Sequence, residues 1–301
     1  MTSPVHEKFV TTSGGSLRHD ILPMRLYHKA KRLGTWDPRS IDFSQDILDW
    51  QNLSDEEREA ILSLTALFQA GEEGVTLDLL PLILAIAREQ RLEEEMFLTT
   101  FLWEEAKHTE FFRRFLDEVA HDHSDLGRYH TPSYRALFYE ELPRVMNVLL
   151  TDSSPEAQVR ASVTYNMIIE GVLAETGYYN YYNMLERSNI MPGLRQGVGL
   201  LKRDEARHIA YGVYLISRLI AQQPDLWQIV DEEMDRLLLF ALGVVKESFG
   251  DALELPAEEL PFNFQAQEYI EYATTQFMKR RSRIERARTQ TVEEIYQEEE
   301  E

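Results

Sequence analysis

The sequence predicts an all-α protein, and three observations support this fold class. Gly and Pro contribute only 14 and 11 of the 301 residues, which favours long helices over turn-rich β folds. Apolar residues recur at spacings of three and four along most of the chain, as they do on one face of a helix. No long segment alternates apolar and polar residues as a half-buried β-strand does.

Capping and turn residues define the helices in order. Ser54 and Glu57 form a capping box, and the helix that they begin should continue to about residue 87 with a kink at Pro81. Proline-containing helix starts, polar turns and the apolar periodicity predict the remaining helices. Their approximate ranges are 88–119, a short helix after residue 131, 155–187, 192–221, 225–249 and 265–288, with a loop over 250–264.

The C-terminal end of the chain changes character. Residues 279–288 contain six basic residues and one Glu, and residues 293–301 contain six Glu. We interpret the basic run as a solvated helix end and residues 289–301 as a disordered acidic tail. The alternative interpretation is a tail that binds a partner through the residues around Tyr296.

Composition excludes several functional classes. The chain has no Cys, which rules out disulfides, Cys-ligated zinc and iron–sulfur clusters. Its formal net charge of −21 would repel nucleic acid and anionic lipid surfaces. The N-terminal residues lack an apolar signal core, and the longest apolar stretch, Val75–Ala87, is too short to span a bilayer. We therefore expect a cytoplasmic protein with no nucleic-acid partner and no membrane span.

Ionisable side chains stand on helix faces where the periodicity requires apolar ones. Glu105 and His108 interrupt one such face, and Glu205 and His208 interrupt another with the same spacing. The residues of the two faces are Phe101, Glu105, His108, Phe112, Phe115 and Val119 on the first, and Leu201, Glu205, His208, Gly212, Leu215 and Leu219 on the second.

Two earlier helix faces each carry a single Glu. Glu72 precedes Glu105 by 33 residues, and Glu170 precedes Glu205 by 35. The chain therefore contains two copies of one unit, a lone Glu followed by Glu-x-x-His on the next helix. An unpaired buried carboxylate costs several kcal/mol or takes up a proton. Four such groups need a shared explanation.

A pair of divalent cations supplies that explanation. Residues at i and i+3 share one helix face, so the Glu and His of each motif can bind one ion together with the lone Glu. The expected ligands are Glu72, Glu105 and His108 for one ion and Glu170, Glu205 and His208 for the other, with some carboxylates bridging. Carboxylate oxygens with one imidazole per ion suit Fe or Mn. The ligand types alone leave the choice between these metals open.

A third Glu-x-x-His, formed by Glu118 and His121, tests this reasoning. Glu118 lies 13 residues beyond Glu105, which places it about 220° around the helix from the apolar face. We therefore interpret the third motif as a surface pair.

The predicted ligand set resembles that of the ferritin-like di-iron and di-manganese proteins. The runs Glu105-Ala106-Lys107-His108 and Asp204-Glu205-Ala206-Arg207-His208 resemble the ribonucleotide reductase small subunit. They resemble still more closely its relatives, the ligand-binding oxidases that carry a manganese/iron cofactor. Residues 33–38 and 69–75 share this likeness, which extends from about residue 22 to 221.

The resemblance implies a ferritin-like four-helix bundle with additional N- and C-terminal helices. Residues 1–301 would then form one domain, although the length by itself allows either one large domain or two smaller ones. The metal-binding bundle would occupy about residues 54–221, followed by extra helices at about 225–288 and the acidic tail at about 289–301.

The resemblance also implies an oxidoreductase that activates O₂ with Mn and Fe, or with two Fe ions as the alternative. Phe112 stands where the reductase small subunit has its radical-bearing Tyr, which favours the oxidase relatives. These relatives form an ether cross-link between a Val and a Tyr beside the metals, and the matching residues are Val75 and Tyr165. The reaction would be a two-electron oxidation of a C–H bond.

The oxidase relatives bind a long-chain fatty acid in an apolar tunnel. The apolar residues after Val75 and the cluster Tyr178, Tyr179, Tyr181 and Tyr182 are candidates to line such a tunnel. Asp204 resembles an acid of this family that orients a ligand His through its outer nitrogen. Trp36 matches the aromatic residue at the end of the same relay.

Three alternatives remain on the same bundle. A radical-generating small subunit of ribonucleotide reductase would keep the ligands and need a large subunit. An iron-storage protein would assemble into a shell, and an acyl desaturase would need a surface that docks a carrier protein. For the oxidase we expect a homodimer.

Overall fold

The fold is entirely helical over the residues that the computed structural model describes, 8–298. Within this range there is no β-strand, so the predicted all-α class is confirmed. The α-helices are α1 (Leu22–Leu33), α2 (Ser44–Asn52), α3 (Asp55–Asp78), α4 (Leu80–Arg88), α5 (Leu92–Phe115), α6 (Pro132–Arg135), α7 (Leu142–Val148), α8 (Pro155–Ser162), α9 (Glu175–Tyr181), α10 (Pro192–Gln222), α11 (Leu226–Phe249), α12 (Ala266–Glu285) and α13 (Val292–Gln297).

Four long helical segments form the central bundle. They are α3, α5, the continuous helix that runs from α8 through α9, and α10. Helix α1 packs against α5 and α10, while α11 and α12 pack against the α8–α9 segment. This arrangement confirms the predicted ferritin-like bundle with additional helices at both ends.

The capping box at Ser54 and the helix break near Pro81 lie where the sequence predicts them. The Ser54 hydroxyl accepts a hydrogen bond from the Glu57 amide, and the Glu57 side chain accepts one from the Ser54 amide. The helix that follows breaks at Leu79, just before Pro81 in the first turn of α4. Proline fits the first turn of a helix but not its interior, which explains the break.

The helix predicted over 155–187 differs from expectation in its hydrogen bonding. Its centre, Val163–Ala174, is π-helical, and so is Tyr182–Glu186. Gly212 of α10 lies so close to this segment that a Cβ atom there would come within 2.2 Å of Asn166. π-Helical turns are frequent at functional sites, and this one carries both Tyr165 and Glu170.

The acidic end of the chain is a correction to the expected disordered tail. Thr291 and Glu294 form a second capping box, which begins α13. Ile295 is fully buried, and α13 packs against α10. Apolar and aromatic residues between the glutamates supply the packing face, which offsets the charge of the segment. Residues 1–7 and the last three glutamates, 299–301, lie outside the described residues.

Within the described part of the chain, no helix combines the length and apolar character needed to cross a bilayer.

Candidate metal centre

The six predicted ligands meet in the interior of the bundle. Each is at most 5% exposed, although charged and polar side chains ordinarily remain in water. The six residues are Glu72, Glu105, His108, Glu170, Glu205 and His208. They come from α3, α5, the π-helical segment and α10, as the two-copy pattern in the sequence predicted.

The side chains form two groups that share two carboxylates. Within each group the ligand atoms lie within 4.8 Å of one another. One group is Glu72, Glu105, His108 and Glu205, and the other is Glu105, Glu170, Glu205 and His208. Glu105 and Glu205 belong to both groups, so they are placed to bridge two ions.

The two imidazoles face the carboxylates through their Nδ1 atoms. His108 Nδ1 lies 3.4 Å from both Glu72 Oε2 and Glu205 Oε1. His208 Nδ1 lies 2.9 Å from Glu105 Oε1 and 3.6 Å from Glu170 Oε1.

Several of these atoms lack a hydrogen-bond partner within the described structure. The buried atoms are Nδ1 of His108 and His208, both carboxylate oxygens of Glu105, Oε1 of Glu170 and Oε2 of Glu205. Unpartnered buried polar atoms are costly and rare. Divalent cations between these nitrogen and oxygen atoms would satisfy all of them, so the residues fit a dinuclear metal site.

The protonation equilibria show the cost of this cluster without cations. Burial raises the pKa of Glu72 and of Glu170 well above the ordinary value. Burial acts in the same direction on Glu105, but its contacts with the two imidazoles lower that pKa to about 2. Burial opposes charge on His108 and His208, yet the surrounding carboxylates raise both pKa values. The metal-free site therefore holds protons that cations would replace.

The outer nitrogen of each imidazole contacts an acid from the opposite motif. His108 Nε2 lies 3.4 Å from Asp204 Oδ2, and His208 Nε2 lies 2.9 Å from Glu104 Oε2. Such contacts orient a ligand imidazole and make it more basic. Asp204 therefore lies where the sequence predicts it, against the outer nitrogen of His108.

Sequence reasoning missed Glu104, although a signal was present. Both motifs share the pattern acidic-Glu-Ala-basic-His, in residues 104–108 and 204–208. The basic members complete the network, because Arg207 Nη2 donates hydrogen bonds of 2.5 Å to both Glu104 and Asp204. Comparison of the two motifs beyond their ligands would have identified both acids.

Trp36 lies at the expected end of the Asp204 relay. Its Nε1 donates a 2.7 Å hydrogen bond to Asp204 Oδ2. Lys107 Nζ donates to the same oxygen at 3.1 Å and to the Gly34 carbonyl at 2.5 Å. A Cβ atom on Gly34 would come within 2.0 Å of Glu104 Oε1, so glycine is required for this close approach.

Val75 and Tyr165 are brought together beside the ligands. The Tyr165 hydroxyl donates a 3.2 Å hydrogen bond to the Val75 carbonyl, and both residues are buried. Burial and the negative charges of Glu105 and Glu170 raise the pKa of Tyr165 well above its ordinary value. The phenol is therefore neutral at physiological pH.

An apolar cavity of about 200 Å³ reaches the metal-site carboxylates. Its wall includes Glu72, Glu105, Glu170 and Glu205 at one part and Val75 beside them. The remaining wall is mostly apolar and includes Leu64, Phe68, Ile169, Leu173, Val244, Phe249 and Phe264.

The lining of this cavity corrects one expectation. Val75 contributes to the wall, but Tyr178, Tyr179, Tyr181 and Tyr182 do not. Phe68 stacks on Tyr178 at a ring-centroid distance of 5.0 Å. Phe68, not the tyrosine, therefore faces the cavity, and the tyrosine cluster belongs to the packing behind it.

The third Glu-x-x-His motif lies on the surface, as expected. Glu118 is exposed and receives hydrogen bonds from Arg114 at 2.7 Å. His121 follows the last helical turn in a left-handed conformation and is also exposed.

A helical bundle with two buried carboxylate–imidazole groups that share bridging carboxylates defines the class of dinuclear metal proteins. Residues 24–280 match the family described as ribonucleotide reductase, small chain. This match spans most of the chain, and the protein therefore belongs to that family.

Solved structures of R2-like ligand-binding oxidases are similar to the chain over nearly its full length. One, with an aerobically reconstituted Mn/Fe cofactor, is 40% identical, covers 93% of this chain and 98% of its own, and superposes with a TM-score of 0.87. A Tyr-to-Phe variant with the same cofactor is 40% identical over 93% and 98% of the two chains, with a TM-score of 0.86. A Val-to-Ile variant is 40% identical over 92% and 99%, with a TM-score of 0.87.

These relationships confirm the family resemblance predicted from the motifs. Together with the two buried ligand groups, they support a dinuclear-metal oxidoreductase.

Proposed function

We propose that the protein is an oxidase that binds one Mn and one Fe ion, activates O₂ and oxidises C–H bonds by two electrons. Glu72, Glu105 and His108 would hold one ion and Glu170, Glu205 and His208 the other, with Glu105 and Glu205 within reach of both. The unpartnered buried atoms of these residues and the Mn/Fe cofactor of the similar oxidases support the assignment. Such a pair of ions, when bound, supplies the electrons that reduce O₂.

The first substrate is Val75. Oxidation breaks one C–H bond of Val75 and the O–H bond of Tyr165, and one C–O bond joins the two side chains. Two electrons and two protons leave the protein, and O₂ is the electron acceptor. The 3.2 Å hydrogen bond from the Tyr165 hydroxyl to Val75 is the observation that carries this proposal. It holds the phenol oxygen beside the residue to which it would become bonded.

Intact-mass measurement tests the cross-link directly. After aerobic loading with Mn and Fe, we expect a loss of two hydrogen atoms, mapped to linked peptides that contain Val75 and Tyr165. Tyr165→Phe removes the oxygen and should abolish the loss. Tyr181→Phe is the matched control, because Tyr181 is equally buried but hydrogen bonds with Thr65 instead. An unchanged mass in the loaded wild-type protein would refute the cross-link.

The ligand of the apolar cavity is a long-chain fatty acid. Its alkyl chain would cover the walls formed by Leu64, Phe68 and Leu173, and its carboxylate would reach the ions beside Glu72. We expect solvent extraction and mass spectrometry to detect fatty acid bound to the purified protein. Leu173→Trp, which fills the cavity, should reduce its amount. Equal fatty acid in both proteins would contradict this location.

The alternative function is that of a radical-generating ribonucleotide reductase small subunit. The continuous contacts from His108 through Asp204 to Trp36 favour it, because such a relay can move an electron to the surface. Phe112, which is buried against Phe68, argues against a stored tyrosyl radical at that position. Nucleotide reduction after mixing with a large subunit, lost on deletion of residues after Thr291, would establish this alternative.

Homodimer formation and a cytoplasmic location remain predictions. Leu77, Leu80 and Leu84 are exposed on adjoining turns of α3 and α4, and such a patch is suited to contact with a second copy. Light scattering of the metal-loaded protein would show whether it is dimeric.

A further inference from the structure

A row of aromatic rings extends from the His208 ligand away from the metal centre. The Phe101 ring stacks on the His208 imidazole with a centroid distance of 3.6 Å. Phe97 lies 6.0 Å from Phe101, and Tyr211 lies 5.2 Å from Phe97. Tyr211 also stands one turn beyond His208 on α10, so the backbone connects them by a second short path.

The row continues to the C-terminal helix. Tyr214 lies 6.0 Å from Tyr211, and the Tyr296 ring stacks on Tyr214 at 6.2 Å. Tyr211 and Tyr214 are fully buried, whereas Tyr296 is partly exposed. The rings therefore connect a metal ligand in the core with the surface near α13.

A buried carboxylate serves the two inner tyrosines. The Tyr211 hydroxyl donates to Glu94 Oε2 at 3.1 Å, and the Tyr214 hydroxyl donates to Glu94 Oε1 at 3.2 Å. Glu94 is 1% exposed and forms ion pairs with Arg91 and Arg218. A tyrosine loses its phenolic proton when it is oxidised, so a carboxylate at hydrogen-bond distance is the group that such a residue requires.

The outermost tyrosine is held by cationic side chains. Arg91 Nη2 donates to the Tyr296 hydroxyl at 3.3 Å and to the Tyr214 hydroxyl at 3.4 Å. The Arg18 guanidinium lies 4.7 Å from the Tyr296 ring centroid. These contacts fix Tyr296 against Tyr214.

We propose that Tyr211, Tyr214 and Tyr296 form an electron relay between the surface at α13 and the oxidised metal centre, with Glu94 as the proton acceptor. The relay rests on the proposed oxidase function. It leaves the centre on the His208 side, and so it is separate from the route through His108, Asp204 and Trp36.

Each step of the relay balances. Tyr211 gives one electron to the oxidised centre and its proton to Glu94, and it regains both when Tyr214 is oxidised in turn. Tyr214 gives its own proton to Glu94, and it regains that proton when it receives an electron from Tyr296, whose proton passes to solvent. A small one-electron reductant in solution, such as ascorbate, restores Tyr296. The net change is the reduction of the centre by one electron.

Photo-oxidation of the full-length protein without added metal tests the tyrosine chain by itself. A photoexcited ruthenium complex in solution cannot touch Tyr211 or Tyr214, because both are fully buried. We expect freeze-quench EPR to show a long-lived tyrosyl radical that is lost in the double variant Tyr211→Phe/Tyr214→Phe. Tyr296→Phe should lower its yield by about tenfold, since the outermost step is removed. Tyr182→Phe is the control, because Tyr182 is exposed but outside the row.

Stopped-flow reduction of the metal-loaded protein tests the connection to the centre. After ascorbate is added, the absorption of the oxidised centre should disappear about tenfold more slowly in Tyr214→Phe than in wild type or Tyr181→Phe. The ring stacking survives this substitution, so a merely structural role would leave the rate unchanged.

Two results would overturn the relay. One is an equal yield of the buried radical in Tyr296→Phe and wild type, and the other is an equal reduction rate in Tyr214→Phe and wild type. If the wild type never forms an oxidised centre, the proposed oxidase function fails, while the photo-oxidation result still decides whether the tyrosines form a chain.

Discussion

The two halves of the metal centre share one ligand pattern but differ in their surroundings. The His108 imidazole has Trp36 as its aromatic neighbour at 6.3 Å, whereas the Phe101 ring stacks directly on His208 at 3.6 Å. The outer nitrogen of His108 is 3.4 Å from its acid, and that of His208 is 2.9 Å from Glu104.

The outer acids of the two halves, Asp204 and Glu104, also differ in their hydrogen-bond donors. Asp204 receives hydrogen bonds from Trp36, Lys107 and Arg207, so its charge is divided among several donors. Glu104 receives one hydrogen bond from Arg207 and contacts His208 closely. A carboxylate that interacts more closely with the outer N–H makes an imidazole a more basic ligand. A repeated motif can therefore present two inequivalent sites, as a heterodinuclear centre requires.

The largest effect on metal binding is expected when the lone carboxylate of either half is removed. We expect Glu72→Ala and Glu170→Ala each to lose one of the two ions, with affinity lowered by more than about 100-fold, because each residue is a direct ligand of one ion. Metal analysis of Mn and Fe per chain checks this, and inequivalent halves should retain different metals. Glu118→Ala, at the surface motif, should retain both ions. Loss of both ions from either ligand variant would show that the halves do not bind independently.

A smaller effect is expected from the outer acids. Glu104→Gln and Asp204→Asn should each weaken metal binding by about 10- to 100-fold, since a neutral amide orients the imidazole but no longer increases its basicity. Glu104→Gln should act mainly on the ion at His208, and Asp204→Asn mainly on the ion at His108. Competition with a metal chelator measures both affinities. The same ion affected by both variants would remove the distinction drawn between the halves.

The stability of the metal-free fold should depend on pH through the protonation of the candidate ligands. The folded-state pKa values of Glu72, Glu170, His108 and His208 all lie above their ordinary values. Groups of this kind stabilise the fold below their unfolded-state pKa, and the contribution is lost as the pH rises through the folded-state pKa. Glu105 has the opposite sign, but its pKa of about 2 confines that effect to acid.

The metal-free protein should therefore lose thermal stability as the pH rises above the ordinary pKa values of Glu and His, about 4.3 and about 6.5, while the metal-loaded protein should not. Calorimetric melting of both forms across this range measures the difference. Parallel pH profiles for the two forms would contradict the assignment of these residues as ligands.

The smallest expected effect concerns the ends of two helices with equivalent capping boxes. Ser54 begins α3, the helix that carries Glu72 of the His108 half. Thr291 begins α13, which packs against α10, the helix of His208. Each change to Ala should cost about 1 kcal/mol. For Thr291→Ala the loss should be confined to α13 and appear as faster amide exchange over residues 292–297, with metal content unchanged. For Ser54→Ala it should lower the melting temperature of the whole domain.

Patterns in the sequence indicate the helices of the bundle and the six candidate ligands. Helical periodicity places Glu105 and His108 on the same face whatever surrounds them, and the same holds for Glu205 and His208. Buried carboxylates on four apolar faces then leave few physical solutions other than a shared pair of cations. The placement of residues on one helix face requires only contacts between near neighbours in sequence.

Packing in the tertiary structure sets which segments contact the helix faces that carry the candidate ligands. It brought Glu104 to His208 across about a hundred residues of chain, made Phe68 a cavity wall in place of the tyrosines, and folded the acidic end as a helix with Tyr296 against Tyr214. Each outcome depends on packing between distant segments, which local propensity and charge do not encode. A run of glutamates therefore predicted disorder, and two apolar side chains within it reversed that outcome.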